Sequence, residues 1–382
     1  MQREKITRRG FLGATAVVGW GGFALPAKAG AGANPGCTTR AEEWKSTSDR
    51  PPRKVIVGTV MQPLWVKYPG LEQRLRELMV LVDSMHSQSQ KRFGRGLDLG
   101  ILPEIAVTGE VQPGHDALGT AFALEGPVQE AFSRKASQHH CYIVAPLYLL
   151  EDKAAGVCSN AAVLFGRKGE VAGIYRKVHL VVDLRTGSME HGATPGKEEP
   201  VFSCDFGKLG IQICYDMNFN SGWRELAHQG ADIVAWPSQS PQRSRPVARA
   251  MEGHYYIVSS TWRNNASVFE PTGKIISQVL ERPGMGESGG GLLENNVLAQ
   301  EIDLSYAIIP WSTALKNGEF LAKTYGDRVG FHYYEDDDRG IFWSNDPQTT
   351  IRQMLRSLDL REEQEELRAA RERYRRASVP GY

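Results

Sequence analysis

Short apolar runs rich in β-branched residues alternate along this chain with segments of helical periodicity. Residues 54–61 form one such run, which predicts a buried strand. Leu71, Leu75 and Leu78 follow at spacings of four and three, which places them on one face of a helix. Hairpin turn signals such as Gly166-Arg-Lys-Gly169 interrupt the alternation. The pattern predicts an α/β fold in which mixed sheets lie between layers of helices.

The same alternation continues to about residue 303. Further strands are predicted at 97–102, 141–146, 157–165, 170–176, 201–205, 209–214, 231–236, 255–261, 266–270, 274–280 and 292–303, and further helices near 127–138, 221–229 and 245–253.

The character of the sequence changes after about residue 306. Residues 307–345 are rich in aromatic and loop-forming residues, and Asp346-Pro347 is a typical helix start. Residues 361–376 are almost all charged, which predicts a solvated helix with i,i+4 ion pairs. We therefore place one domain at 53–306 and a C-terminal helical extension at 307–382.

The first residues are typical of an export signal. A twin-arginine pattern, Thr7-Arg-Arg-Gly-Phe-Leu12, precedes a weakly apolar stretch, and Ala27-Lys-Ala29 supplies the small residues of a cleavage site. The apolar stretch is shorter than the roughly 20 residues that span a bilayer. We expect residues 1–29 to be a signal peptide read by the twin-arginine (Tat) translocase and residues 30–52 to be a linker. The mature protein is then periplasmic or extracellular, unless the signal is retained as an anchor.

Composition excludes several classes of protein. The 41% of hydrophobic and 23% of charged residues are ordinary for a soluble globular protein. A net charge of +1 gives no support for binding nucleic acid. The 5 cysteines include no Cys-x-x-Cys pair, which argues against a disulfide scaffold and a structural zinc site.

Four side chains with catalytic potential lie at or just after the ends of apolar strands, or in the loops that follow them. They are Glu104, Lys177, Glu190 and Cys214. Catalytic groups gather at strand ends in layered α/β folds. Taken singly, each has an ordinary explanation, such as a loop carboxylate, a surface lysine or a buried cysteine that packs as a small hydrophobe.

The segments around these residues resemble the signatures of a known superfamily. Leu102-Pro-Glu104, Tyr175-Arg-Lys-Val-His-Leu180 and Gly210-Ile-Gln-Ile-Cys-Tyr-Asp-Met217 occur in this order and resemble the three signature segments of the nitrilase, or carbon–nitrogen hydrolase, superfamily. The resemblance spans roughly residues 53–305. It implies a four-layer α-β-β-α sandwich, usually a homodimer, that acts on a small molecule without a metal or an organic cofactor.

The resemblance also assigns roles to the four candidates. Cys214 is the implied nucleophile, attacking an amide or nitrile carbon to give a thioester or thioimidate. Glu104 is the implied general base, and the Lys177 ammonium stabilises the anionic tetrahedral intermediate. Glu190 is expected to orient Lys177 and the substrate. The remaining expected oxyanion-binding or substrate-binding residues are Tyr215, through its backbone N–H, together with Asn218, Trp236 and Ser238.

Two departures from the family pattern bear on the substrate. Asn218 stands where acid-binding relatives often carry an arginine, so a carboxylate-bearing substrate is less favoured. Tyr215-Asp216 stands where nitrilases usually carry Trp-Glu, which favours an amide over a nitrile. The sequence therefore predicts an amidase-like hydrolase that releases ammonia or an amine. A nitrilase, an N-acyltransferase and a catalytically silent binding protein remain alternatives.

Overall fold

The computed structural model describes residues 47–64, 67–281, 295–310 and 317–381. The predicted signal peptide, most of the predicted linker and residues 292–294 of a predicted strand lie outside the described residues. The strands are β1 Lys54–Val60, β2 Leu99–Ile101, β3 Tyr142–Asp152, β4 Val157–Phe165, β5 Val171–Arg176, β6 Val201–Cys204, β7 Gly207–Ile211, β8 Ile233–Pro237, β9 Tyr256–Ser260, β10 Asn265–Phe269, β11 Ile275–Leu280, β12 Val297–Asp303, β13 Tyr306–Pro310, β14 Val329–Tyr334 and β15 Arg339–Ser344. The α-helices are α1 Leu71–Phe93, α2 Ala117–Thr120, α3 Pro127–His139, α4 Asn220–His228, α5 Ser244–Gly253, α6 Asn317–Tyr325, α7 Ile351–Ser357 and α8 Glu363–Arg376.

Two six-stranded sheets form the centre of the molecule. One has the order β12-β1-β2-β3-β4-β5, and the other has the order β11-β10-β9-β8-β7-β6. Strands β1, β2 and β3 are mutually parallel, as are β7, β8 and β9. The two sets meet where β1 and β9 end, because Met61 bridges Thr261 and the Ser260 hydroxyl donates to the Val60 carbonyl over 3.0 Å. The carboxyl ends of both parallel sets therefore lie together.

Alternate residues of each central strand face different layers. In β1, Val55 and Val57 pack between the sheets, whereas Ile56 packs in the core that includes residues of α1 and α3. In β8, Ile233 packs between the sheets, whereas Val234 lies in a third core with side chains of α4 and α5. Three stacked cores of this kind define four layers. The predicted α-β-β-α sandwich is therefore confirmed.

The C-terminal part differs from the predicted helical extension. Strands β13, β15 and β14 form a three-stranded antiparallel sheet, and α6 and α7 pack on it. Tyr306 and Ile308 of β13 join the core between the two large sheets, whereas Ala307 and Ile309 face the C-terminal cluster. A boundary at 306/307 would cut through this strand. The prediction missed β13 and β15 because β13 is covered on both faces and β15 largely so, which removes the polar alternation that marks an exposed strand.

The two C-terminal helices were predicted with different success. The predicted start at Asp346 is wrong for α7, because Thr350 caps this helix in a reciprocal capping box with Gln353. Asp346 instead begins a turn and pairs with Arg328 at 2.5 Å. Helix α8 agrees with the predicted charged helix and buries none of its residues. None of the described helices is long and apolar enough to cross a membrane.

The end of the predicted linker is part of the fold. The Thr47 hydroxyl donates to the Tyr306 carbonyl at 2.9 Å, and the buried Ser48 hydroxyl donates to Glu362 at 2.8 Å. Arg50 pairs with the buried Asp232 at 2.5 Å. Residues 47–50 therefore fasten the start of the described chain to its C-terminal part and to the second sheet.

Candidate active site

The candidate residues lie at strand ends of both sheets. Glu104 follows β2, Lys177 follows β5 directly, and Cys214 begins a 3-10 turn at 214–218 after β7. Glu190 lies on a second 3-10 turn, at 190–192, in the loop between β5 and β6. Since the carboxyl ends of the parallel strands meet at one edge of the sandwich, residues up to 110 positions apart come together there.

Lys177 lies between the two glutamates. Its ammonium Nζ is 2.8 Å from Glu104 Oε1 and 2.9 Å from Glu190 Oε2, and the side chains of Lys177 and Glu104 are 1% exposed. Burial alone lowers the pKa of Lys177, but the neighbouring Glu104, Cys214 and Glu190 outweigh it and raise the pKa well above its usual value. The lysine is therefore charged, and its third N–H is left for another acceptor.

The two oxygens of the Glu104 carboxylate have different partners. Oε1 accepts hydrogen bonds from Lys177 Nζ and, at 2.9 Å, from Asn160 Nδ2. Oε2 accepts only one described bond, from the backbone N–H of Gln239 at 3.1 Å. The Glu104 carbonyl accepts a bond from Trp262 Nε1 at 2.9 Å, which fixes the backbone. One carboxylate oxygen is thus fully engaged and the other retains a free lone pair.

Glu190 approaches from a strained turn. Its φ of 39° is in the left-handed region, and its N–H donates to the Val181 carbonyl at 2.7 Å. Burial raises the pKa of Glu190, while Lys177 and Asn160 act in the opposite direction. The following Gly196 is required by a close approach, because a Cβ there would lie 2.2 Å from the Arg176 carbonyl oxygen. This approach draws the loop back toward Lys177.

Cys214 also has a left-handed backbone, with a φ of 41°. A conformation of this kind costs about 1–3 kcal/mol and is typical of functional sites. Burial, followed by the Glu104 charge, raises the pKa of the thiol to about 12, although Lys177, the Ser238 hydroxyl and the Gln239 N–H favour the thiolate. The resting sulfur is therefore a neutral thiol, and it needs a proton acceptor to become a nucleophile.

Asp216 holds the turn of Cys214 against the loop of Lys177. This carboxylate is fully buried. Its Oδ2 accepts bonds from the Ile213 N–H at 2.9 Å and the Tyr175 hydroxyl at 2.8 Å. Its Oδ1 accepts the backbone N–H of His179 at 2.9 Å and lies 2.9 Å from the Nδ1 of the same ring. This one side chain therefore joins the two loops.

The remaining predicted residues have two kinds of environment. Tyr215 occupies the second position of its 3-10 turn, where a backbone N–H has no acceptor within the turn. Asn218, at the end of this turn, accepts a hydrogen bond from Arg245 of α5. A guanidinium thus lies beside the position that an arginine often occupies in acid-binding members of the superfamily.

Trp236 lies in β8 and Ser238 follows this strand directly, and both side chains are fully buried. Their expected part in binding the oxyanion or the substrate stays a prediction. The Trp236 Nε1 donates to the Cys214 carbonyl at 3.3 Å, and the Ser238 hydroxyl donates to the Ser240 carbonyl at 2.8 Å. The Trp236 side chain therefore holds the backbone of Cys214 in place.

Three residues of the site were missed by the sequence reasoning. Asn160 contacts Glu104 and Glu190 through its side chain, and Gln239 contacts Glu104 through its backbone N–H. Asp216 binds residues that flank Lys177 and Cys214 in the sequence. A signal existed for Asn160, because an amide within the apolar run Val157–Phe165 must find buried partners. A backbone donor such as that of Gln239 leaves no signal in the side-chain sequence.

The assembled site brings together the parts needed for acyl transfer. A thiol lies beside a carboxylate with a free lone pair, a buried ammonium has an unused N–H, and a backbone N–H at the start of a turn has no local partner. Such a set can move a proton away from sulfur and stabilise negative charge on a carbonyl oxygen. It is built from residues on both sheets.

Comparisons with known proteins identify the family and the fold. The family model described as carbon-nitrogen hydrolase matches residues 60–307. The chain is 29% identical over 174 residues to a probable nitrilase of Schizosaccharomyces pombe, covering 42% of this chain and 62% of that protein. It is 28% identical over 244 residues to a deaminated glutathione amidase of Synechocystis sp., covering 57% of this chain and 85% of that protein. A carbon–nitrogen hydrolase structure from Helicobacter pylori superposes with a TM-score of 0.53 at 18% identity, covering 66% of this chain and 90% of that one.

Proposed function

Because this chain belongs to the carbon–nitrogen hydrolase family, matched over residues 60–307, we propose that it hydrolyses a non-peptide amide through a thioester on Cys214. The observation that carries the proposal is the buried Glu104–Lys177 pair beside the thiol, with the two charged groups 2.8 Å apart. A buried ion pair next to a neutral thiol supplies both a proton acceptor and a fixed positive charge.

The free oxygen of Glu104 is the proposed proton acceptor. Oε1 already accepts bonds from Lys177 and Asn160, so an arriving proton finds its lone pair on Oε2. The Gln239 N–H bonds to Oε2 and also to the sulfur, which indicates that these two atoms are neighbours. The thiol proton passes to Oε2 as the sulfur attacks the amide carbon and the carbonyl oxygen becomes negative.

The negative oxygen is bound by Lys177 and the Tyr215 backbone N–H in this proposal. Lys177 uses its other protons on Glu104 and Glu190, so the pair of glutamates aims the remaining one. The protonated Glu104 then gives its proton to the leaving nitrogen, the C–N bond breaks and an acyl thioester remains. Water attacks the thioester while Glu104 takes its proton. The C–S bond then breaks, Glu104 returns the proton to the departing sulfur, and the acid leaves.

An amide is favoured over a nitrile as the substrate. Tyr215-Asp216 follows the nucleophile in place of the Trp-Glu that is usual in nitrilases, and the Synechocystis relative is named as an amidase. The guanidinium of Arg245 beside Asn218 offers a contact for a carboxylate on the acyl group. An amine in place of water as the acceptor would make the enzyme an N-acyltransferase.

A panel of amides, nitriles and carbamoyl compounds, each with and without a carboxylate, tests the proposal by ammonia or amine release. We expect release from at least one amide, and Cys214→Ala lowers its rate by an amount on the order of 10⁶-fold, as for other lost nucleophiles. Cys204→Ala is the control, since Cys204 lies outside the site and is also a free thiol. A fully active Cys214→Ala protein rejects the nucleophile assignment.

Two further measurements complete the proposal. Addition of an amine acceptor separates a hydrolase from an acyltransferase, because only the latter converts the acyl group into a new amide. The homodimer expected from the family resemblance predicts a solution mass of two chains by light scattering, and a mass of one chain contradicts it.

A further inference from the structure

Asn160 contacts all three charged members of the site. Its side chain is fully buried in the middle of β4. Its Nδ2 donates to Glu104 Oε1 at 2.9 Å and to Glu190 Oε1 at 2.5 Å. Its backbone carbonyl accepts the Lys177 N–H at 2.8 Å. One residue of the first sheet thereby spans both glutamates and the backbone of the lysine between them.

The orientation of this amide is set by charge. Its Oδ1 is buried and has no hydrogen-bond partner, whereas its Nδ2 faces two carboxylates. The reverse orientation would place an oxygen against two negative groups. Leaving a buried amide oxygen unpaired costs about 1–3 kcal/mol. This arrangement indicates that the two hydrogen bonds donated by Nδ2 contribute more here than a hydrogen bond to Oδ1 would.

The two carboxylates share only one ammonium. Glu104 and Glu190 are both within 3.0 Å of Lys177 Nζ, so their charges repel each other across a short gap. Tyr148 and Glu110 also face them, and His191 faces Glu110. Donation from Asn160 to both carboxylates stabilises their ionised forms and offsets part of this repulsion.

We propose that Asn160 is a positioning residue: by donating to Oε1 of Glu104 and to Glu190, it holds the Glu104 carboxylate with its Oε2 turned toward the Cys214 sulfur. The proposal rests on the proposed function, because it gives Glu104 the role of proton acceptor. Asn160 acts only through Glu104 and Glu190.

The test is the pH dependence of Cys214 reactivity in Asn160→Ala. Site-resolved alkylation by iodoacetamide, read by mass spectrometry, reports proton removal from the thiol without any substrate. We expect the acid limb of this profile to move up by about one pH unit, because the ionised carboxylate loses a hydrogen bond. The acid limb of kcat should move with it, so kcat at a pH on that limb should fall about tenfold with little change in KM.

Two other variants keep the experiment decisive. Asn160→Asp serves if Asn160→Ala does not fold. The aspartate has the same shape as asparagine but donates no hydrogen bond when ionised, so we expect an upward shift of the acid limb that is at least as large. Ser159→Ala is the matched control, because the neighbouring Ser159 hydroxyl bonds Glu151 at 2.6 Å instead of the site residues, and its profile should stay at the wild-type position.

The outcomes separate the two proposals. If the folded Asn160 variants have the acid limbs of their alkylation and kcat profiles at the wild-type pH, the positioning role is rejected, whatever the substrate proves to be. A shifted alkylation profile in a protein that hydrolyses no amide leaves the positioning role in place and rejects the proposed function. A merely structural Asn160 would lower stability without moving either limb.

Discussion

Asp216 shows how much of the site depends on a single buried side chain. It accepts bonds from Tyr175 and His179, on either side of Lys177, and from Ile213, next to Cys214. The loops it joins belong to different sheets, so no local propensity fixes their distance. A carboxylate suits the position because each of its oxygens can accept two bonds.

Asp216→Asn should therefore lower both activity and stability. An amide group has one accepting oxygen, so donors that now face the other oxygen would meet an N–H₂ group instead. We expect the free energy of unfolding to fall by about 2–3 kcal/mol, measured by urea denaturation. Asp183→Asn, on an exposed loop, is the control and should stay within about 0.5 kcal/mol.

The same substitution has a pH signature. The Asp216 carboxylate, which accepts a hydrogen bond from the His179 ring, raises the pKa of His179 above its usual value. Stability from this pair is fully present below the ordinary histidine pKa and is lost as the pH rises through the raised one. The difference in the free energy of unfolding between wild type and Asp216→Asn should therefore become smaller as the pH rises through this range. A difference that does not change with pH would show that His179 does not contribute to it.

Residues with catalytic chemistry were easier to predict than those that position them. Glu104, Lys177 and Cys214 were found because their types and flanking motifs are distinctive, and the structure places them together. Asn160 and Gln239 were missed because their importance comes from what lies across the sandwich. Which residues meet across the sandwich depends on how the two sheets pack, and no short segment of sequence determines this.

At the level of elements, the hairpins and helices of the two large sheets could be predicted, but the C-terminal strands could not. The hairpin of β4 and β5 was predicted from the turn signal Gly166-Arg-Lys-Gly169 between its strands. Strand β13 is buried on both faces, and β15 is largely so, because one face packs on the inter-sheet core and the other on α6 and α7. Their sequence then resembles any short apolar run. The C-terminal extension therefore contributes residues to the core between the two large sheets.

Phe342→Ala tests this continuity. Phe342 is fully buried between β15 and its helices, and truncating such a ring costs about 3–5 kcal/mol. Because β13 shares the inter-sheet core, we expect a single unfolding transition that shifts as a whole in calorimetry. Phe320→Ala, at a half-exposed position of α6, should change stability by about 1 kcal/mol or less. An early, separate transition of the C-terminal part would contradict the shared core.

At the scale of the whole molecule, we propose that the protein is exported after folding. The support is the twin-arginine pattern at residues 7–12 and the small residues before a cleavage point after Ala29. Replacing Arg8 and Arg9 by lysine should retain the protein inside the cell, as seen by fractionation and immunoblotting. Replacement of Arg3, outside the pattern, is the control. Mature protein that begins elsewhere than Gly30 would revise the cleavage point.

The anchoring of residues 47–50 has a consequence for synthesis on the ribosome. Ser48 bonds Glu362, so this last part of the fastening of residues 47–50 forms only when most of the chain has been synthesised. A chain that ends before Glu362 lacks this bond, whereas a complete chain can form it. If export follows the proposed route, a complete chain therefore reaches the translocase with residues 47–50 joined to its C-terminal part.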